Sequence, residues 1–396
     1  MLQYPPSDTN SFRLFAIVTL VAVILCGDYA VAQTFVDRRS DDCFRIANYN
    51  VFFDSLFEPS GLAELTRFVN AVDADVYAFQ EAFDTSSTEA RNLFDQIAPL
   101  ATGSWHVHKG RNQLIISRYN LSMLDINVPN GTRGIAMAQV DLPDEHFSND
   151  MYILNNHFPC CSSGEGQRID EAFAIAASLL DAYSVGGDVD LAPDTAVAVV
   201  GDLNTVSGFL PRDILLDGIG DLGADWDGSS MTDANPTHNA IGLEDYTWRD
   251  DTGPFDPGIL DYVLYTDSVI SVEYSFILNP SIMTGAELAA TGLIETDMMR
   301  TKNVNLFDFD HMPLIVDFAA NLVTDLIGDV NQDGVVDFLD ISPFIEALAA
   351  SSTFTKQRRL RNRESCTKSR WHFLMMKPPS RSTRLETVCI NAATGN

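Results

Sequence analysis

VAVVGDLNTV, Val197–Val206, is the stretch on which the fold turns. A run of small and β-branched apolar residues stops at Gly201, Asp202, Leu203 and Asn204. Such a run reads as a buried strand. A carboxylate and an amide then sit on the last residues of a rigid element, at the rim of a sheet. Polar groups with chemistry to perform are best held in that way. A strand ending in Gly-Asp is equally well a simple turn, so the reading depends on what surrounds it.

Working backwards, Ile169, Ala172, Phe173, Ala176 and Leu180 recur at helical spacing and lead into the central run. Before them MYILNNHFPCC makes Met151–Asn156 a strand with His157 at its end. Ile135–Leu142 and Asn112–Ser117 have strand character. Asp75–Phe79 alternates as a strand and delivers Gln80-Glu81 at its tip. Leu62, Leu65, Phe68, Val69 and Val72 predict a helix, and FRIANYNVFF, Phe44–Phe53, a strand carrying Asn48 and Asn50. Working forwards, 216–258 is polar and Gly-rich, with Trp226, His238 and Trp248. A loop region of this length reads as substrate-facing. Ile259–Thr266 is a strand with Asp261 near its start, Val269–Leu278 is another, and FDFDHMPLIVDF (307–318) sets Asp310-His311 before a last strand. Many strands with few helices predict two mixed sheets packed face to face with helices outside. A lone histidine or glutamate at a strand end is ordinarily structural or solvated. Here the polar residues all fall at strand ends, where they converge on one rim if the sheets are so arranged.

Bulk charge limits the partners. Of the 25 Lys and Arg, ten lie in 356–396 beside two acidic residues. The first 355 residues therefore carry 15 basic and 53 acidic groups, a net of −38. Such a body repels nucleic acid and anionic lipid. A phosphate-ester substrate would need bound cations to supply local positive charge. The six cysteines (26, 43, 160, 161, 366 and 389) are too few for a disulfide scaffold and form no CxxC pair, which disfavours structural zinc.

Taken together, NYNV, FQE, NNH, GDLN, LDYV and DHMP resemble, in this order, the endonuclease/exonuclease/phosphatase superfamily, the deoxyribonuclease-like fold, over residues 42–319. The resemblance implies an α/β four-layered sandwich of two mixed sheets flanked by helices, and metal-dependent cleavage of phosphate esters. It implies Glu81 as the principal ligand of Mg²⁺ or Mn²⁺, with Asn50 and Asp310 assisting. Asp202 would orient or deprotonate the attacking water, with Asn204 beside it on the phosphate. His311 would act on the phosphate, its tautomer fixed by Asp261. His157 matches a second catalytic histidine of deoxyribonuclease and sphingomyelinase relatives. Hard carboxylate and amide oxygens suit Mg²⁺ independently of the family. One departure stands out: relatives partner that histidine with a glutamate near Lys109–Tyr119, where KGRNQLIISRY offers Gln113 and no acid.

The ends of the chain differ from its body. Arg13, the apolar run Leu14–Leu25 and Ala30-Val31-Ala32 predict a secretory signal peptide over 1–32 and a secreted or periplasmic protein. Export would permit a disulfide from Cys43 to Cys160 or Cys161. Asp329, Asn331, Asp333, Asp337 and Asp340, with the backbone oxygen of Val335 and Gly334 at position 6, have the spacing of an EF-hand-like Ca²⁺ loop. With the ISPFIEAL helix it resembles one dockerin repeat (326–350), whose partner would be a cohesin-like domain; a second repeat is not visible. The basic stretch 351–396 is expected to be disordered and also suits a disrupted reading frame. The leading expectation is a secreted phosphodiesterase with nucleic acid favoured. The alternatives are a sphingomyelinase-like enzyme acting on a lipid head group and a catalytically inactive, calcium-dependent assembly protein. Oligomeric state is not readable.

Overall fold

The computed structural model describes residues 33–124, 134–187, 189–220, 222–250, 254–298 and 310–320. The signal-peptide segment, the calcium loop with Asp329, Asn331, Asp333, Val335, Asp337 and Asp340, and the basic tail lie outside them. Among the described residues no helix is long and apolar enough to cross a membrane.

The strands are β1 (Phe44–Asn50), β2 (Val76–Gln80), β3 (His106–Lys109), β4 (Leu114–Ser117), β5 (Leu121–Ser122), β6 (Ile135–Val140), β7 (Met151–His157), β8 (Ala196–Asp202), β9 (Thr232–Asp233), β10 (Asp261–Tyr265), β11 (Ile270–Ile277) and β12 (Leu314–Ala320). The α-helices are α1 (Leu62–Val72), α2 (Ser87–Ile97), α3 (Glu165–Ala182), α4 (Leu210–Asp217) and α5 (Gly285–Thr291). One sheet has the order β11-β12-β1-β2-β4-β3 and the other β5-β6-β7-β8-β10-β9. Each is mixed: β1–β2 and β7–β8 are parallel, and their other pairings antiparallel.

The apolar run of the central strand now has its reason. Ala198 and Val200 face the other sheet, among Ile46, Val76, Ile115 and Val263. Val197 and Val199 face outward onto Ala172, Ile175 and Leu179 of α3. A strand covered on both faces reads as continuously apolar rather than alternating. On the far side, Leu65, Phe68 and Val72 of α1 and Phe94 of α2 pack on Tyr77 and Phe79. The layers are thus helix, sheet, sheet, helix, as the motifs imply.

Direction and register place the polar residues. In the parallel pairs, Asn50 lies opposite Gln80 and His157 opposite Asp202. Asp261 opens β10 opposite Asp202, and Leu314 at the start of β12 pairs with Asn48 near the end of β1. Four strand ends and two strand starts therefore meet at one edge of the sandwich. Just beneath it a polar tie joins the sheets: Gln80 Nε2 donates to Asn48 Oδ1 and Asn155 Oδ1, each at 2.7 Å. Asn155 Nδ2 returns bonds to the carbonyls of Phe79 and Leu114. At the opposite end Arg45 forms a buried two-point ion pair with Asp317, its register partner.

The same topology corrects the disulfide expectation. Cys43 precedes β1, at the end away from Asn50, whereas Cys160 and Cys161 follow His157. A seven-residue strand separates the two ends, roughly 23 Å at 3.3 Å per residue, beyond the reach of a disulfide.

Candidate active site

Asp202 sits at the centre of the edge and is almost fully buried. Gly201 before it has φ +132°, and a Cβ there would lie 2.0 Å from the carbonyl oxygen of Asn156. Only glycine lets β8 approach β7 so closely at this point. Asp202 Oδ1 accepts from the backbone N–H of Asn204 at 2.9 Å. Its Oδ2 accepts from Asn204 Nδ2 at 2.8 Å and from Asn50 Nδ2 at 3.1 Å. Burial pushes the Asp202 carboxyl up to about 7, reinforced by Asp261 and Glu81 and opposed by His311.

Glu81 leaves β2 with φ +61°, a left-handed conformation that a non-glycine residue holds only where its surroundings impose it. Its Oε2 accepts from the backbone N–H of Phe53 at 3.2 Å. Burial pushes its carboxyl up, Asp310 adds to this, and His311 and the bonds from Asn50 and Phe53 oppose it. His157 Nε2 stands 3.6 Å from Glu81 Oε1 and 3.7 Å from Asp202 Oδ2.

His311 approaches from the opposite side. Its Nδ1 is 2.7 Å from Asp261 Oδ2, and its Nε2 is 3.8 Å from Asp202 Oδ2. Asp261 is itself held, since Thr247 Oγ1 donates to its Oδ2 at 2.7 Å. Thr247 Oγ1 also accepts from the N–H groups of Leu260 and Asp261. Burial alone would lower the His311 imidazole. Asp261, Asp202 and Asp310 overcome this and raise it well above the ordinary histidine range.

The eight predicted residues Asn50, Glu81, His157, Asp202, Asn204, Asp261, Asp310 and His311 thus fall on one edge. Three further residues support them. The partner of His157 is Asn112, whose Nδ2 is 3.0 Å from His157 Nδ1. Its neighbour Gln113 instead accepts from the Asn112 N–H and donates to Gly134. An amide orients the ring without adding the charge that a glutamate would bring. Thr247, which holds Asp261, lies in a loop where the sequence shows no periodicity. Trp248, in the 216–258 region expected to face substrate, donates Nε1–H to Asp310 Oδ2 at 2.9 Å. The backbone bonds Arg249 N–H to Asp310 O and Met312 N–H to Thr247 O fasten that loop to the histidine segment.

Two other residues of 216–258, Trp226 and His238, do not face the site. Trp226 stacks on Tyr183 and donates to the carbonyl of Thr195, at the start of β8 and away from the site. His238 is buried between the Tyr246 carbonyl and Asn279. Both are structural.

The donor set fits a hard divalent cation. It comprises the carboxylates of Glu81, Asp202 and Asp310 and the amide of Asn50, all oxygen ligands of the Mg²⁺ type. Asp310 Oδ1 is buried with no hydrogen-bond partner among the described residues. Potential ligand atoms of Asp202, Asp261 and His311 also lie within 4.8 Å of one another. Asp261 Oδ2 is already engaged by both His311 and Thr247. Asp261 thus serves the histidine through Oδ2, while its Oδ1, buried with no hydrogen-bond partner among the described residues, leaves it able to face a cation as well.

Comparison with known proteins shows the family. The model of the Endonuclease/Exonuclease/phosphatase family matches residues 47–281. No relative was found among curated proteins. Among solved structures, truncated TDP2 of Caenorhabditis elegans matches at 16% identity and TM-score 0.45, over 70% of this chain and 98% of that one. D. rerio TDP2 complexed with single-strand DNA product matches at 14% and 0.45, over 70% and 99%. The human Nocturnin catalytic domain with bound sulfate matches at 12% and 0.44, over 70% and 95%.

Proposed function

This chain belongs to the endonuclease/exonuclease/phosphatase family, and from that premise we propose a divalent-metal-dependent phosphodiesterase, with nucleic acid as the favoured substrate class. The observation that carries it is the convergence of Glu81, His157, Asp202 and the His311–Asp261 pair on one buried point. Glu81, Asn50 and Asp310 would hold Mg²⁺ or Mn²⁺. When bound, the cation neutralises charge on the phosphoryl oxygens. This matters in a body whose own charge repels a phosphate.

The residues divide the remaining work. Asp202 faces both histidines and is placed to orient the attacking water and accept its proton. Asn204 fixes the carboxylate through two bonds and keeps it from rotating. His311, charged at neutral pH, offers Nε2–H to a phosphoryl oxygen or to the leaving group. His157 offers Nε2 on the other side, oriented by Asn112. Export, read from residues 1–32, would place this activity outside the cytoplasm.

The test is turnover of DNA, RNA, sphingomyelin and sugar phosphates with Mg²⁺, Mn²⁺ or EDTA. Loss of turnover in EDTA and recovery with Mg²⁺ are expected. Glu81, which would hold the cation, has a raised carboxyl, so the cation must displace a proton from it at low pH. Its apparent affinity should therefore fall as pH drops through the raised range of that carboxyl, by about tenfold per unit for the proton displaced. Turnover unaffected by chelation on every substrate would overturn the proposal.

An exposed aromatic stack supports the nucleic-acid reading. Phe53 and Phe83 are 60% and 43% exposed, too open to serve as core. Their rings stack at 5.3 Å with an interplanar angle of 21°. Phe53 carries the N–H that binds Glu81, and Phe83 lies two residues beyond Glu81. The carboxylate of Asp54, accepting from the N–H groups of Phe83, Asp84 and Thr85, joins their two loops. A flat apolar surface beside the metal ligand suits a nucleobase, whose stacking is worth about 1–3 kcal/mol. Phe53→Ala with Phe83→Ala should raise KM for oligonucleotides by about tenfold or more. Turnover of bis(4-nitrophenyl) phosphate should change less, and an equal loss on both substrates would refute the stacking role.

A further inference from the structure

The two cysteines after His157 have no part in the chemistry above, and their surroundings are unusual. Cys160 and Cys161 are adjacent and exposed, and their sulfurs are 2.9 Å apart. Cys161 has φ +69°, a conformation that a side-chain-bearing residue adopts only under constraint. The constraint is visible. The buried Arg168 guanidinium donates through Nη1 to the carbonyls of Pro159 and Cys161, both at 2.8 Å. Its Nη2 donates to Ser207 Oγ at 3.2 Å. The peptide one step earlier is bound to the site itself. Phe158 N–H donates to the Asp202 carbonyl, and Asn204 Nδ2 donates to the Phe158 carbonyl.

We propose that Cys160 and Cys161 form a reversible vicinal disulfide that locks the loop following His157. The left-handed φ of Cys161 is one of the torsions such a ring contains, so the backbone already holds it before the bond forms. Adjacent Cα atoms are about 3.8 Å apart, closer than the usual span of a disulfide. The bond is consequently strained and exposed, which marks it as labile rather than structural. Closing the ring fixes the peptide between the two cysteines and hence the Cys161 carbonyl on Arg168.

The chemistry balances with a small-molecule disulfide as oxidant. One cysteine thiolate attacks a sulfur of glutathione disulfide, forming a mixed disulfide and releasing one glutathione thiolate. The neighbouring thiolate attacks the protein sulfur of that mixed disulfide and releases the second. The protein loses two hydrogens, and glutathione disulfide leaves as two reduced glutathione molecules. Export would bring the pair into an environment where such bonds persist.

The experiment uses the full chain, equilibrated in reduced and oxidised glutathione mixtures, trapped with N-ethylmaleimide and mapped by mass spectrometry. Under the oxidising mixture, the peptide bearing both cysteines should lose two hydrogens and take no label in most molecules. Excess reduced glutathione should restore two labels. Cys160→Ser should leave Cys161 labelled or glutathionylated, with no internal bond. Amide hydrogen exchange over residues 158–163 should slow on oxidation. Full double labelling under oxidising conditions, or pairing with Cys43, Cys26, Cys366, Cys389 or a second chain, would overturn the proposal. Unchanged exchange would overturn the locking of the loop. None of these readouts depends on the phosphodiesterase reading.

Discussion

Asp202→Asn is expected to lower kcat on a phosphodiester by about 10²–10⁴-fold, the range for loss of a positioned acid or base. No other described carboxylate occupies its place between His157 Nε2 and His311 Nε2. The substitution keeps size and shape, removes the charge and the basicity, and turns one acceptor oxygen into a donor that faces an N–H of Asn204 or Asn50. Its second effect separates chemistry from folding. The Asp202 carboxyl is raised to about 7 by burial, with Asp261 and Glu81 adding to it, against about 3.9 in an unfolded chain. Between those values the folded protein binds a proton that the unfolded chain has released. The contribution of this group to stability therefore falls as pH rises from about 4 to about 7, and stays low above that. Asparagine has no such titration. In EDTA, the difference in Tm between wild type and variant should move against wild type across that window. Added Mg²⁺ should return stability to wild type above pH 7, because a ligand of the native state stabilises by mass action. Calorimetric scans at three pH values, with and without Mg²⁺, check this. A variant unstable by the same amount at every pH would mean that the carboxylate is simply structural.

The parts of this site legible in the sequence are those where residue type and strand direction agree. Asp202, Glu81 and His157 follow apolar runs that stop abruptly, and such runs become strands whose ends must be at a sheet edge. The alternation of Ala198 and Val200 against Val197 and Val199 cannot be seen in the sequence, because both faces are covered and both carry apolar residues. Partners across the chain were less legible. Asn112 and Gln113 are neighbours of similar chemistry just before β4, and only the fold shows which of them turns toward His157. The proposed Cys43 bridge failed because composition carries no strand direction: β1 runs toward the site and its first residues lie away from it. α2 is hard to read in the sequence for a different reason. Only Ala90 and Phe94 of its residues are buried, which leaves little periodicity, although the Ser86–Glu89 capping box announces its start. Gln80 and Asn155, parts of the motifs FQE and NNH, tie the two sheets together beneath the site. Motif membership alone does not separate that role from chemistry.

The His311–Asp261 pair yields the other large effect. His311→Ala should cost about 10²–10⁴-fold in kcat, and Asp261→Asn less than this on its own. The double variant should be no worse than His311→Ala, because Asp261 acts through the ring it holds and groups that act as one unit are not additive. The pH profile tests the coupling. Burial would lower the imidazole, and the charge of Asp261, then that of Asp202, the hydrogen bond His311 donates to Asp261, and the charge of Asp310 raise it well above its usual range. A raised histidine stays charged at neutral pH, so a role for its Nε2–H persists as pH rises past 7 and is lost only in the alkaline range. Stability from the same pair is fully present below the unfolded value of about 6.5 and is lost as pH rises through the folded one. In Asp261→Asn the largest favourable charge is gone while burial remains. The alkaline limb of kcat/KM should then move to lower pH, toward or below 6.5, the value of an unperturbed imidazole. Thr247→Val, which removes the hydroxyl that holds Asp261 but leaves its charge, should shift the limb much less. An alkaline limb that stays in place in Asp261→Asn would assign the acid to another group, and His157, held by the neutral Asn112 amide, would be next to test.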